Sequence, residues 1–337
     1  MLRPFIVGLG RSGAGLHLKA LKDLAAGAAS GEEAPFSRPP LAWDPRPEAG
    51  HGLTGLTVAA SLAAAARLTE PDRAVVHLCT PPEARAGVLE ELAVSGFTRF
   101  LVEKPLACDP AQLDQLVRLR EKYRLHMTAV AHWLAAELTR RLHRLVTDRT
   151  LGTLLGIEVA QHKPRFTRTL VAEGHPTAFD VEVPHSLGVV LHLAGPAELV
   201  TAHCTDMVCD GTVVPHMGRA ALTLRHHSGV RTEIVSDLAS PVRQRTFTLR
   251  FTHGTATAHY PISEQDHHAQ LILTGAVESH DVFHDEALTA FLRQTYERFA
   301  AGEVTDFAHH HAVARLLCEA KAHCRADDAP APSGDPV

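Results

Sequence analysis

Gly8-Leu9-Gly10-Arg11-Ser12-Gly13 constrains the fold more than any other stretch of this 337-residue chain. Three glycines at this spacing follow an apolar run, Pro4 to Gly8, and open a helical pattern from Gly13 to Ala26 with Leu16, Ala20, Leu21 and Leu24 in phase. That context gives each glycine a task. Gly8 allows a tight turn, Gly10 lets the backbone approach a pyrophosphate, and Gly13 lets helix and strand pack closely. The helix start then offers N–H groups and a partial positive charge to phosphate. Arg11 and Ser12 belong to the same loop.

The pattern repeats along the first half. Leu41 to Trp43, Ala74 to Cys79, Arg99 to Val102 and Leu125 to His132 read as strands; Leu53 to Leu68, Glu83 to Val94 and Pro110 to Tyr123 read as helices. Gly27 to Pro40 reads as a surface loop. Apolar strands separated by helices predict a parallel sheet covered on both faces. Glu137 to Leu151 reads as a bridging helix, after which the texture changes. Leu154 to Phe166, Leu199 to Val208, Arg219 to His227, Val230 to Leu238 and Thr246 to Tyr260 read as strands, several alternating, with hairpin turns at His227-Ser228-Gly229 and His253-Gly254 and one helix at Pro184 to Ala194. Helices close the chain at Asp285 to Ala301 and Ala308 to Cys324. The expectation is an α/β Rossmann domain with a parallel sheet over 1–135. An α+β domain with a large, mostly antiparallel open sheet follows over 136–325, then a disordered tail over 326–337.

Composition excludes several classes. With 33 Lys plus Arg against 38 Asp plus Glu, the net charge of −5 argues against nucleic acid as a partner. No apolar run reaches membrane-spanning length, and the N-terminus lacks a signal-peptide pattern, so the reading is cytoplasmic. Cysteines at 79, 108, 204, 209, 318 and 324 form no C-x-x-C pair, and the histidine runs at 226–227, 267–268 and 309–311 place neighbours in different directions. No metal is expected.

Other residues carry chemistry. Asp44 ends the second strand, where an acid accepts hydrogen bonds from an adenosine ribose and repels a 2′-phosphate, which favours NAD; Arg46 nearby could accommodate that phosphate, so NADP stays open. Thr80-Pro81 and Glu103-Lys104-Pro105 each follow a strand on the ligand-binding carboxyl edge. Lys104 is one of only six lysines against 27 arginines, and a Lys there could polarise an oxygen and help shuttle its proton. Farther on, Asp180-Val181-Glu182-Val183-Pro184-His185 places two carboxylates just before a helix and a proton-carrying His in its first turn.

The order Gly8-x-Gly10-x-x-Gly13, Asp44, Thr80-Pro81, Glu103-Lys104-Pro105 and His185 resembles the Gfo/Idh/MocA family of NAD(P)-dependent oxidoreductases, over about residues 3 to 325. Its most specific pieces are VEKPLA at 102–107 and the His185 to Gly195 helix, with CTPP at 79–82 and Phe283 to Glu286 in support. The resemblance implies hydride transfer between a nicotinamide cofactor and a hydroxyl or keto carbon of a sugar, amino sugar or cyclitol. It implies Lys104 holding the reacting oxygen and His185 as general acid or base. Asp180 or Glu182 would orient that His or bind a neighbouring hydroxyl. His132, Trp133, Lys163 and Arg165 are expected substrate-wall residues. The sheet's open face implies a homodimer or homotetramer. This chain departs from the family pattern at Val181, Gly188 and Arg85, where Asp, Asp and His are usual, and at His132-Trp133-Leu134-Ala135, which lacks the family's Arg. Those departures leave two other functions standing, a non-catalytic NAD(P)-binding regulator or scaffold and an NAD-dependent glycoside hydrolase.

Overall fold

The computed structural model describes residues 1–29, 34–36, 38–171, 175–263, 265–303 and 305–327. Residues 328–337, most of the expected tail, lie outside the described residues, as do parts of the expected loop at 27–40. The chain divides into two compact units, Met1–Arg140 with Glu286–Ala314, and Arg141–Asp285 with Arg315–Val337.

In the first unit, β1 (Arg3–Val7) leads through a wide, π-type helical turn (Arg11–His17) into α1 (Leu18–Ala29). Next come β2 (Leu41–Trp43), β3 (Thr57–Val58), α2 (Leu62–Leu68), β4 (Ala74–Leu78), α3 (Pro82–Val94), β5 (Arg99–Val102), α4 (Pro110–Tyr123) and β6 (His126–Ala129). The strands form a parallel sheet of order β3-β2-β1-β4-β5-β6. Strand order reverses between β1 and β4, so the crevice for a ligand lies beyond the carboxyl ends of these two strands. The stretch expected to be one helix over 53–68 contains β3 and only two turns of helix, because Ser61 caps α2 by accepting from Ala64 N at 3.0 Å.

Both faces of this sheet are covered. One core gathers Phe5, Val76, Leu89, Phe97, Phe100 and Leu116. The other gathers Ile6, Leu21, Leu24 and Leu101 with Phe291, Leu292, Tyr296 and Phe299 of α8 (Ala287–Ala300). Burying each such side chain stabilises by roughly 1.5–3 kcal/mol. Helix α8 therefore completes the parallel-sheet unit, which differs from a division that leaves all of 136–325 to the second.

The second unit begins within α5 (Glu137–Thr147) and continues with β7 (Leu154–His162), α6 (Phe166–Val171) and α7 (Val183–Ala194). Strands β8 (Ala197–Cys204), β9 (Met207–Cys209), β10 (Thr212–Val214), β11 (Arg219–His226), β12 (Arg231–Asp237), β13 (Gln244–Phe251), β14 (Gly254–His259), β15 (His268–Gly275) and β16 (Ser279–His284) follow. Eight strands make a sheet of order β16-β15-β14-β13-β7-β12-β11-β8, antiparallel except where β12 meets β7. Alternation sorts its faces: Ile157, Ile234, Leu222, Phe247, Leu249 and Leu271 are buried, while Glu158, Glu233, Thr248 and Gln270 point the other way. The segment read as strand over 246–260, with a turn at His253-Gly254, is the hairpin β13–β14, and a Cβ on Gly254 would lie 2.2 Å from the Thr274 carbonyl oxygen. Strands β15 and β16 were not expected from the sequence. Helix α9 (Phe307–Asp327) contains the other boundary between the units.

Candidate functional site

At the carboxyl edge of the parallel sheet the three motif glycines divide sharply. Gly8 has φ +98°, and a Cβ there would lie 3.0 Å from the Cys79 carbonyl. A Cβ on Gly13 would lie 1.9 Å from the Gly8 oxygen and 3.0 Å from Ile6 Cγ2. The chain's own backbone thus requires these two glycines. Gly10 is exposed, and a Cβ there would meet nothing within 4 Å. Among the described residues no contact requires its bareness, which leaves open the space where a phosphate would approach the helix start.

Thr80, at the end of β4, is 7% exposed, and its hydroxyl makes no hydrogen bond among the described residues. A buried orphan hydroxyl on a residue whose backbone lies against Gly8, on the same sheet edge as the glycine-rich loop, fits a polar ligand such as a nicotinamide dinucleotide. Pro81 caps α3. Arg85, in the first turn of α3, is fully buried and donates to the carbonyls of Thr80 (2.9 Å), Leu106 (2.9 Å) and Pro105. Burial pushes its guanidinium down to about 10, so it stays a cation at neutral pH. It locks the turn after β4 to the turn carrying Lys104.

Asp44 sits under the loop. Its Oδ2 accepts from Leu9 N at 2.7 Å, and its carboxylate takes Arg46 through N and Nε, both at 2.9 Å, and Nη2 at 3.1 Å. The Asp44 side chain is 4% exposed and that of Arg46 60%. Burial works against the Asp44 charge, but hydrogen bonds from Arg46 and Leu9 outweigh it and hold the carboxyl below its usual range. Asp44 therefore spends its charge on the loop and on Arg46, and Arg46 presents the cation outward.

Glu103 and Lys104 follow β5. Lys104 N donates to Glu103 Oε2 at 3.0 Å, while Glu103 Oε1 accepts from Ser12 Oγ and lies 2.8 Å from His17 Nε2. The carboxylate thereby ties the Lys104 turn to the glycine-rich loop. His132 and Trp133 lie in a short 3-10 turn after β6; Trp133 is buried, and its carbonyl accepts from Thr139.

In the second unit, Asp180 and Glu182 are both buried, and each pairs with a different lysine at 2.8 Å. Asp180 is fully buried; its Oδ2 accepts from Thr177 N (3.1 Å) and Oγ1 (2.8 Å), and its Oδ1 from Lys321 Nζ at 2.8 Å. Both oxygens are consumed in holding the approach to α7 and in pairing with α9. Glu182 is the N-cap residue of α7; its Oε1 takes Lys163 Nζ at 2.8 Å, and its Oε2 lies 3.6 Å from Arg245 Nη2. His185 stands in the first turn, with its N–H on the Glu182 carbonyl at 3.1 Å. Arg165 is 5% exposed and donates to Thr169 Oγ1 at 3.0 Å. Lys163, Glu182 and Arg245 thus form an ion-paired set at the head of α7, and His185 joins it through its backbone N–H on the Glu182 carbonyl. Gly188 lies buried in α7, and Val181 is also buried.

Sequence reading missed His17, His77, Tyr296, Lys321 and Arg245, and took Arg85 only as a departure from a family position. One signal was available: His77 interrupts an otherwise apolar strand, Ala74 to Leu78. Among the described residues no group of His, Cys, Asp and Glu is placed to hold a metal, and no helix is long and apolar enough to cross a membrane.

No protein-family model and no curated protein matches this sequence. Solved structures do. A Desulfitobacterium hafniense protein, classed by its name only as an NADPH-dependent oxidoreductase, is similar with a TM-score of 0.79 at 13% identity, over 97% of this chain and 96% of that one. The KijD10 3-ketoreductase of Actinomadura kijaniata, solved with TDP-benzene and NADP, is similar with a TM-score of 0.73 at 15% identity, over 95% and 96%. An Agrobacterium radiobacter oxidoreductase solved with NAD+, L-tartaric acid and magnesium is similar with a TM-score of 0.73 at 14% identity, over 96% of each chain. The chain has the two-domain fold of these proteins.

Proposed function

We propose that this chain is an NAD(P)-dependent oxidoreductase of the Gfo/Idh/MocA kind, acting on a hydroxyl or keto carbon of a sugar, amino sugar or cyclitol. The observation that carries the reading is Gly10, a motif glycine at a helix start that no contact among the described residues requires. The fold shared with several NAD(P)-linked oxidoreductases supports it, and the 3-ketoreductase among them supports a carbonyl or carbinol as the reacting group.

The first-turn N–H groups of the helix after Gly10, with Thr80 Oγ1, would hold the cofactor. When bound, it supplies the hydride or takes it up. Lys104 Nζ donates to the reacting oxygen and holds it against charge development. Arg85 and Glu103 fix the turn from which Lys104 projects. An imidazole nitrogen of His185 carries the proton. Glu182, rather than Asp180, is the carboxylate with a catalytic or hydroxyl-binding task, because Asp180 is fully buried with Thr177 on one oxygen and Lys321 on the other. The Arg46 cation, neutralising Asp44, favours the 2′-phosphorylated cofactor, which reverses the preference expected from Asp44 alone. A homodimer or homotetramer through the outer face of the eight-stranded sheet belongs to the same reading, and sedimentation velocity tests it.

The Arg85 departure counts for enzyme rather than scaffold, because a buried guanidinium bracing the Lys104 turn has a reason to be there. The test is titration of parent and Gly10→Ala with NADPH and NADH, followed by fluorescence of Trp43 and Trp133. Saturable binding by the parent, weakened about tenfold or more in a Gly10→Ala protein of unchanged melting temperature, is expected. Absence of binding to a cofactor-free parent overturns the proposal.

A further inference from the structure

A file of polar side chains, buried at Tyr296, His77 and His17 and partly buried at Glu103 and Ser12, runs through the first unit beneath the glycine-rich loop. Tyr296 Oη lies 2.8 Å from His77 Nε2, His77 Nδ1 lies 2.6 Å from His17 Nδ1, His17 Nε2 lies 2.8 Å from Glu103 Oε1, and Glu103 also accepts from Ser12. His17 and His77 are fully buried, as is Tyr296. The file joins four elements: the wide turn after the loop, β4, the turn after β5, and α8.

The protons can be placed by elimination. An ionised carboxylate only accepts, so His17 Nε2 carries a proton. One proton stands between the two Nδ1 atoms. If it belongs to His77, His17 is neutral, Tyr296 donates to His77, and the Glu103 charge stands in the interior with no buried cation bonded to it. If it belongs to His17, the ring is an imidazolium against Glu103, His77 is neutral, and its Nε2–H donates to Tyr296 Oη. The second arrangement balances the charge where desolvation makes imbalance costly.

We propose that His17, carried as an imidazolium, is a positioning residue that fixes the Glu103–Lys104 turn to the glycine-rich loop, with His77 and Tyr296 as the backing that keeps its second proton in place. The assignment of a task to this turn rests on the proposed function. The groups facing His17 are Cys79 and His77 from β4 and its end, and Glu103 beyond β5; Lys104 and Arg85 act on Glu103, and Tyr296 acts through His77. Burial opposes the His17 charge, but Cys79 and Glu103 outweigh it and push the ring up to about 10. Glu103 is held well below its ordinary range despite burial, by His17 first and then Ser12 and Lys104. His77 is held well below its own by burial and by His17, hence neutral, and burial keeps the Tyr296 hydroxyl protonated.

The experiment has two readouts on the full chain. The first is the nitrogen NMR spectrum of the imidazoles, with His17 assigned by loss of its signal in His17→Gln. Both His17 nitrogens are expected to stay protonated from about pH 7 to about pH 9, and Tyr296→Phe is expected to lower the deprotonation midpoint by about one pH unit or more. Removing the acceptor for His77 Nε2–H drives that proton to Nδ1 and displaces the His17 proton. A midpoint near the ordinary histidine value in the parent overturns the proposal.

The second readout is the NADPH dissociation constant against pH. It is expected to be flat in the parent between about pH 6 and about pH 8.5, and to rise about tenfold in His17→Gln. In that variant it should weaken further toward acid, because Glu103 without its cation protonates nearer neutrality and then loses acceptor capacity toward Ser12 and Lys104 N. The double variant His17→Gln/Glu103→Gln should lose the acid dependence, which mere disturbance of packing would not achieve. A His17→Gln protein that binds as the parent does, with a flat profile, overturns the proposal. Should the parent bind neither NADPH nor NADH, the proposed function fails, while the imidazole spectrum still decides the charge of His17.

Discussion

At the carboxyl edge of the parallel sheet the backbone sets the geometry; at the head of α7 charged side chains set it. Gly8 and Gly13 are glycines because atoms of β1 and of the segment after β4 occupy the space a Cβ would need. Asp180 and Glu182, two residues apart, differ because Lys321 reaches one and Lys163 the other. The first kind of constraint involves neighbours close in space whose identity hardly matters, since every residue has a carbonyl. The second depends on a particular cation 141 positions away in sequence. Substitutions should therefore fail in different ways in the two regions.

The largest expected effect is Gly13→Ala. A methyl group 1.9 Å from the Gly8 oxygen has no room, and neither the turn nor β1 can yield without breaking the sheet register. A loss of about 3 kcal/mol or more in urea unfolding is expected. Gly10→Ala, three residues earlier, should leave stability unchanged within about 0.5 kcal/mol. Equal stabilities for the two variants would remove the contrast between a glycine the fold requires and one it does not.

At the head of α7 the corresponding pair is Lys321→Met and Lys163→Met. The Lys321 side chain is 3% exposed and faces a fully buried carboxylate, so its loss strands a charge and should cost about 3–5 kcal/mol. Adding Asp180→Leu should recover much of that loss. Lys163 is 19% exposed and shares Glu182 with Arg245, so its replacement should cost about 1 kcal/mol or less and weaken substrate instead. Substrate turnover alongside thermal unfolding separates the two outcomes; a Lys163→Met loss as large as that of Lys321→Met would show that Glu182, too, is held for stability.

This contrast explains what was legible. The strand–glycine–helix order, the parallel sheet, and the positions of Asp44, Thr80, Glu103 and Lys104 follow from local pattern, because turns and strand ends are local events. Choosing between Asp180 and Glu182 required knowing where α9 places Lys321, and nothing local encodes that. Similarly, α8 carries apolar residues suited to any core, and only the fold shows that Phe291, Leu292, Tyr296 and Phe299 close the first unit. In the missed hairpin β15–β16, β15 alternates, with Ala269, Leu271 and Leu273 buried, whereas β16 is exposed at the sheet margin and carries His280, Asp281 and His284, which give no apolar face to read. Arg85 read as a departure from a family position, and its three carbonyl partners turn it into a brace.

Charge also enters the backbone-set region, through two histidines of opposite sign. His17 is pushed up to about 10; its contribution to stability is full below the unfolded value near 6.5 and is lost as pH rises through about 10. His310, hydrogen-bonded to Thr128 Oγ1 at 2.8 Å, is pushed down to about 4 by burial and by His309. Its contribution is full above about 6.5 and is lost as pH falls toward 4, because the unfolded chain takes the proton first. Urea midpoints across the pH range should therefore decline toward both extremes. His310→Gln should flatten the acid limb alone and His17→Gln the alkaline limb alone; slopes that both variants share with the parent would contradict the assigned signs.

The smallest effect sharpens the comparison most, because it places a side-chain choice inside the backbone-set region. Asp44 is fixed by Leu9 N, a backbone donor, whereas the Arg46 guanidinium is held by Asp44. Removing Arg46 should leave the loop intact and change only which cofactor it takes. With the guanidinium gone, Asp44 regains a bare charge that repels a 2′-phosphate and accepts from a ribose hydroxyl. Arg46→Ala is expected to weaken NADPH about tenfold, worth about 1.4 kcal/mol, and to leave NADH equal or slightly tighter. Since Arg46 is 60% exposed, the effect should shrink as salt is raised. Parallel loss of both cofactors would instead mean that Arg46 supports the loop itself, and the division between backbone-set and side-chain-set constraints would then fail within a single turn.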